Sequence, residues 1–298
     1  MINTINKYRK VKRRREMKKF LLTAVIMLGL GVSNASAITI EFDVQDLYDW
    51  GRLYDYSATT NTWTPYNVNP SDVPAGFTAP VVAGTVGNAD GVEDTWGVAT
   101  VARISVLAGA DTYNSATDPY ELTMIFYGFD DDYLSAPDLF NNSIVGSTGG
   151  NIKIYKDLTP DFDETLGTAG RTGASTYTGV TDGELVLDLI AIPQNIAGHT
   201  LATTFNFGTL SGSGSVLLST TGAGSWDAAY DTNSQLDGAD FGLQFTSSVN
   251  GGGSVVADWV VRGDGRAESA TNSVPEPMTM ALFGTGLLGA AIRRKILG

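Results

Sequence analysis

The sequence predicts an all-β chain, an antiparallel β-sandwich of jelly-roll type, flanked by a signal helix at the N-terminus and a transmembrane helix at the C-terminus. Three observations predict it. Residues 38–274 show almost no 3.6-residue apolar periodicity. They break instead into short runs of β-branched and aromatic residues divided by Gly, Asn, Asp, Ser and Pro, the pattern of strands and turns. Of the 35 glycines, 29 lie in this stretch, above the usual frequency of about 7%. That excess supplies the tight turns of a many-stranded sandwich.

The elements follow in chain order. Met17-Lys18-Lys19 precedes an apolar run at 20–32, and Ala35-Ser36-Ala37 has the small-x-small form that a signal peptidase accepts. The run would make a helix of roughly 20 Å, short of the ~30 Å hydrocarbon core of a membrane. Residues 1–37 therefore read as a secretory signal peptide cleaved after Ala37, with Ala35 and Ala37 in the peptidase pocket. Met17 is the cleaner start, so 1–16 reads as an upstream extension. Strands are expected at 38–44, 81–86, 95–107, 121–129, 152–156, 184–192, 201–210, 215–219, 241–248 and 254–262. The alternation is explicit at 98–106 and 185–190. Glycine-rich pieces at 208–214 and 250–253 read as hairpin connections. Neither precedes a helix, so neither makes a phosphate cradle. One exported domain, 38–273, is the expectation.

The chain ends in Val274-Pro275-Glu276-Pro277, an apolar stretch at 278–292 rich in small residues, and Arg293-Arg294-Lys295. The prolines leave an extended, accessible peptide. The stretch would rise roughly 22 Å, so it spans a membrane only marginally, with its basic end on the cytoplasmic side. This tripartite tail, 274–298, resembles the PEP-CTERM sorting signal. The resemblance implies a protein of a Gram-negative bacterium, held in the inner membrane in transit. An exosortase, an intramembrane protease or transpeptidase, then recognises Pro275, Glu276 and Pro277 and removes the tail. It also implies the cell surface or an exopolysaccharide biofilm matrix as destination. An ordinary permanent anchor is the alternative reading of the same residues.

Charge and composition exclude other classes. Residues 38–274 hold seven basic residues against 30 acidic ones, a net charge of −23. Such a surface repels phosphate backbones, so nucleic acid is no partner. Zero cysteines exclude disulfides, thiolate metal sites and cysteine nucleophiles, and one histidine excludes a multi-histidine metal site.

Acidic clusters are the most suggestive chemistry. Asn88, Asp90, Glu93 and Asp94 place oxygen ligands around a turn glycine, an arrangement that suits Ca²⁺, although the spacing is not that of an EF-hand. Asp130-Asp131-Asp132, Asp161-Phe162-Asp163-Glu164 and Asp237-Gly238-Ala239-Asp240 are further clusters; solvated turns are the alternative reading of all four. Tyr48, Trp50, Tyr54 and Trp63 fall in a polar stretch without clear periodicity. They read as a platform for sugar rings, or as aromatics packing a long loop onto the sheet. No Gly-x-Ser-x-Gly elbow accompanies His199, so it reads as a loop histidine without a catalytic role. Arg262-Gly263-Asp264 reads as a turn at a strand end.

The resulting expectation is a non-enzymatic exported protein of the surface or matrix. Its partners are signal peptidase and exosortase during export and exopolysaccharide afterwards, with Ca²⁺ as its cation. The alternatives are an extracellular polysaccharide hydrolase using paired carboxylates, Glu93, Asp94, Glu121 and Glu184 being available, and a permanently anchored surface protein.

Overall fold

The computed structural model describes residues 39–51, 53–66, 81–84, 93–107, 109–194, 198–249 and 257–270. The expected signal peptide, with Ala35 and Ala37, and the tail, with Pro275 to Pro277, its apolar stretch and Arg293 to Lys295, lie outside them. Among the described residues no helix is long and apolar enough to cross a membrane. The compact unit Ile38–Asn272 contains every element described.

Its strands are β1 (Thr39–Gly51), β2 (Leu53–Ser57), β3 (Thr62–Tyr66), β4 (Val81–Val82), β5 (Thr95–Val106), β6 (Asp111–Asn114), β7 (Glu121–Leu134), β8 (Asn142–Asp157), β9 (Arg171–Gly173), β10 (Thr176–Tyr177), β11 (Glu184–Ile192), β12 (Leu201–Asn206), β13 (Ser211–Thr220), β14 (Phe241–Val249) and β15 (Val261–Ala270). One short helix, α1, spans Asp227–Tyr230. Antiparallel β is as expected, but the sandwich is not. The sheet runs β1-β5-β7-β8-β11-β13-β14-β15 and closes where β15 pairs with β1, an up-and-down barrel of eight positions. β11 and β12 share one position between β8 and β13, as one strand interrupted at 193–200.

The sheet closes because its strands are longer and more bent than the alternation suggested. β1, β5, β7 and β11 each carry register shifts, and such bulges sharpen twist and bend the strand. Of the strand expected at 254–262, residues 254–256 lie outside the described residues, Ala257 and Asp258 form a turn, and β15 begins at Val261. Arg262-Gly263-Asp264 consequently lies within a strand, where Arg262 pairs with Asp46 at 3.0 Å.

Inward side chains fill half of the barrel. Phe42, Val101, Leu122, Met124, Ile154, Leu187, Leu218 and Phe241 are buried in one cluster. Each such residue contributes roughly 1.5–3 kcal/mol. Tyr230 of α1 plugs this end, its ring centroid 5.6 Å from that of Phe42 and 5.4 Å from that of Phe241. Asp227 anchors the plug, its carboxylate accepting from the N–H groups of Asp188, Gly222 and Gly224. At the other end the β2-β3-β4 sheet packs Trp63 between Tyr56 and Phe207, each with ring centroids 4.9 Å away. A third cluster lies outside the barrel wall, where Tyr177, Val180 and Trp259 cover Tyr48, Trp96 and Val98.

Candidate functional site

The expected aromatic platform is dispersed and buried. Trp63 is 0% exposed, Tyr48 2% and Tyr54 8%, and half-buried Trp50 packs against the outer cluster. Three of the four therefore offer no ring face to a sugar. Their apolar area closes the barrel end and seals the wall, which is the loop-packing role.

Asn88 and Asp90 lie outside the described residues. Glu93 is engaged by the protein itself: its carboxylate pairs with Arg171 at 2.5 Å and accepts the Gly128 N–H at 2.6 Å. Arg171 in turn lies 4.4 Å over the Trp96 ring. Asp94 is wholly buried, and its Oδ2 accepts the Asp131 N–H at 3.0 Å. Among the described residues the tightest oxygen cluster is another one, Glu121, Asp157 and Asp161, with ligand atoms within 4.8 Å of one another. Glu121 and Asp157 face each other across β7 and β8. The Glu121 carboxylate accepts the N–H groups of Asp161 and Phe162, and burial pushes its pKa up. In the fourth predicted cluster, Asp240 accepts from Thr220, Thr232 and Asn233, so it organises a turn.

His199 is buried just before β12, its Nε2 2.9 Å from Asp132 Oδ1 and its ring against Gly146. It fastens the start of β12 to β7 and β8.

Among the described residues two carboxylates reach the barrel lumen, and each does so through a bulge. On β1 the inward residues Phe42 and Val44 are even-numbered. The bulge between Val44 and Leu47, with Asp46 at φ 46°, inverts the alternation. Leu47 and Asp49 then face in, and Tyr48 and Trp50 face out. On β7, Leu122, Met124 and Phe126 face in until Gly128, at φ 77°, shifts the register so that Phe129 and Asp131 follow. Ser147 Oγ donates to Asp131 Oδ1 at 2.6 Å. Asp49 Oδ1 is sealed from solvent without a hydrogen-bond partner among the described residues. Burial first, and the Asp131 charge second, push the Asp49 pKa up to about 8. Both carboxyls line a cavity of 120 Å³ in the half of the lumen that the core does not fill.

A broad concavity lies on the outside. A groove of 640 Å³ crosses β12 to β15. Its floor is built of cross-strand rows of short polar side chains: Thr204, Ser213, Thr246 and Asp264 in one, Ala202, Ser215, Gln244 and Arg266 in the next. The sequence signal for this face was the alternation Ser211-Gly212-Ser213-Gly214-Ser215. Read as a hairpin connection, it is the first half of β13, with its serines facing out.

Thr39 pairs with Ala270, so the first and last barrel strands leave from the same end. The tail begins three residues after Ala270, and residues 273–295 match the PEP-CTERM protein-sorting motif. The chain carries a PEP-CTERM sorting signal. The signal makes an exosortase the processing partner and the cell surface the destination. Pro275, Glu276, Pro277, Arg293, Arg294 and Lys295 all fall within it. Comparison with the curated proteins and with the solved structures found no match.

Proposed function

We propose that the barrel released by exosortase is a non-enzymatic, polysaccharide-binding protein of the cell surface and extracellular matrix. On this reading the chain belongs to a Gram-negative bacterium and passes through its inner membrane on the way out. The observation that carries it is the outer groove, where hydroxyl and amide groups repeat at the spacing of neighbouring strands, about 4.8 Å. A polymer of sugar hydroxyls finds donors and acceptors at regular intervals on such a face. Asp264 and Arg266 supply charge-assisted contacts at its edge. The lumen carboxylates favour this reading over a hydrolase. A glycosidase must hold sugar on both sides of the scissile bond between its two carboxyls, and pockets for such ligands run to about 300–1,000 Å³. The 120 Å³ around Asp49 and Asp131 does not admit that.

The test is co-sedimentation of the exported protein with the extracellular polysaccharide of the producing cells. Thr246→Ala with Gln244→Ala should weaken binding about fivefold to a hundredfold, at about 0.5–1.5 kcal/mol for each lost hydrogen-bonding group. Both side chains are exposed, so stability should not change. Equal retention of wild type and double variant removes the groove from the account. Release of reducing ends from the polymer overturns the non-enzymatic reading.

A further inference from the structure

The unfilled half of the lumen stands apart from the outer face. Five inward positions there are glycines, Gly51, Gly212, Gly214, Gly263 and Gly265, so the wall contributes little volume. The space left is bounded by Leu134, Val145, Phe205, Val249 and Val261, with Asp49 and Asp131 on its wall. A second void of 40 Å³, lined by Leu47, Met124, Phe126 and Ile152, also opens on Asp49.

A buried carboxyl in apolar surroundings needs a compensating cation or a proton. Asp49 Oδ1 has no donor among the described residues. Among the described residues the lumen supplies no basic side chain either: Lys153 and Arg103 pair with Asp188 and Asp43, Lys156 lies over the Tyr120 ring, and Arg171, Arg262 and Arg266 are engaged by Glu93, Asp46 and Glu41. The walls are mainly apolar, which disfavours a metal ion needing six or more oxygens. An apolar cavity of about 150 Å³ takes a benzene-sized molecule, so 120 Å³ suits a ligand of about four to six heavy atoms.

We infer that this half of the barrel is a binding site for a small organic ammonium ion, its charged head held by Asp49 and Asp131 and its apolar body against Leu134, Val145 and Phe205. The ion displaces the proton that Asp49 otherwise carries. Affinity therefore rises with pH until Asp49 is fully ionised, while an alkylamine keeps its charge to about pH 10.

The experiment is calorimetric titration of the full chain with n-butylammonium chloride, with n-butanol and CaCl₂ as comparison probes. Saturable binding in the millimolar range or tighter is expected at pH 9, weakening about tenfold at pH 7. Asp49→Asn should cost at least about tenfold. Ser247→Leu, which fills the cavity and leaves both carboxyls in place, should abolish binding. This second variant decides the matter if the first does not fold. No saturable binding, equal binding by n-butanol, displacement by Ca²⁺, or unchanged affinity in Ser247→Leu each overturns the assignment. None of these results bears on polysaccharide retention by the outer face.

Discussion

Replacing Asp49 by Asn should make the protein more stable at alkaline pH and leave it unchanged in acid. In the folded barrel the carboxyl titrates at about 8, against 3.8 ordinarily, because ionising it would bury a charge facing Asp131. The unfolded chain releases its proton near pH 4, and the folded chain holds it. Between those values the folded state binds one proton more, so stability falls as pH rises, by 1.36 kcal/mol per pH unit for this group. The contribution is complete below about pH 4 and lost by the time pH passes about 8. Integrated, it comes to about 6 kcal/mol; partial exposure of the residue brings the expectation to about 3–5 kcal/mol. Asn keeps the shape and never ionises, and Asp131 sees a neutral neighbour in both proteins at low pH. The assay is urea unfolding of wild type and Asp49→Asn, followed by tryptophan fluorescence at pH 5, 7 and 9. The variant should lead by about 1–2 kcal/mol at pH 5 and by the full amount at pH 9. A difference that stays constant within about 1 kcal/mol over that range refutes the reasoning, because it means water reaches the lumen carboxyl.

Two further perturbations test other joints. Gly146→Ala should destabilise the barrel by about 1–3 kcal/mol, since an added Cβ would lie 2.9 Å from the His199 ring. That penalty should vanish in a His199→Ala background, as a double-mutant cycle by thermal unfolding would measure. Replacing Pro275, Glu276 and Pro277 together by alanine should leave residues 278–298 on the chain, which an intact-mass spectrum of the cell-associated protein reads directly.

What was legible in the sequence follows the places where alternation is unbroken. β11 lies at 184–192, as its periodicity dictates, and β5 ends within one residue of expectation. β1 and β7 were cut short at Val44 and Phe129, where bulges admit Gln45, Asp46 and the aspartates at 130–132. A period-2 reading has no means of placing a bulge. It therefore misassigns the face of every residue beyond one: Asp131 falls among the solvated-turn acids, and Tyr48 among the rings available to a sugar. The same limit explains the missing half of β8, whose segment at 142–151 is made of Asn, Ser, Thr and Gly around Ile144 and Val145. Those residues face the cavity or the outer face, where little apolar area is needed. The outer groove was written in the Ser-Gly alternation of β13, but glycine density there favoured a turn until pairing with both β12 and β14 fixed it as strand.

Closure of the sheet bears on the sorting signal as well. An open sandwich has edge strands whose unpaired N–H and C=O groups invite pairing with other chains, a hazard for a protein bound for a crowded exterior. Without cysteines, no disulfide can pin such an edge. In this chain the final ladder, β15 on β1, is complete at Ala270, before the motif starts at 273. Removal of the tail therefore takes none of the described strands. It follows that the barrel's stability should not depend on whether the tail is present. A signal that shared even one strand with its cargo would expose a fresh edge at the moment of release.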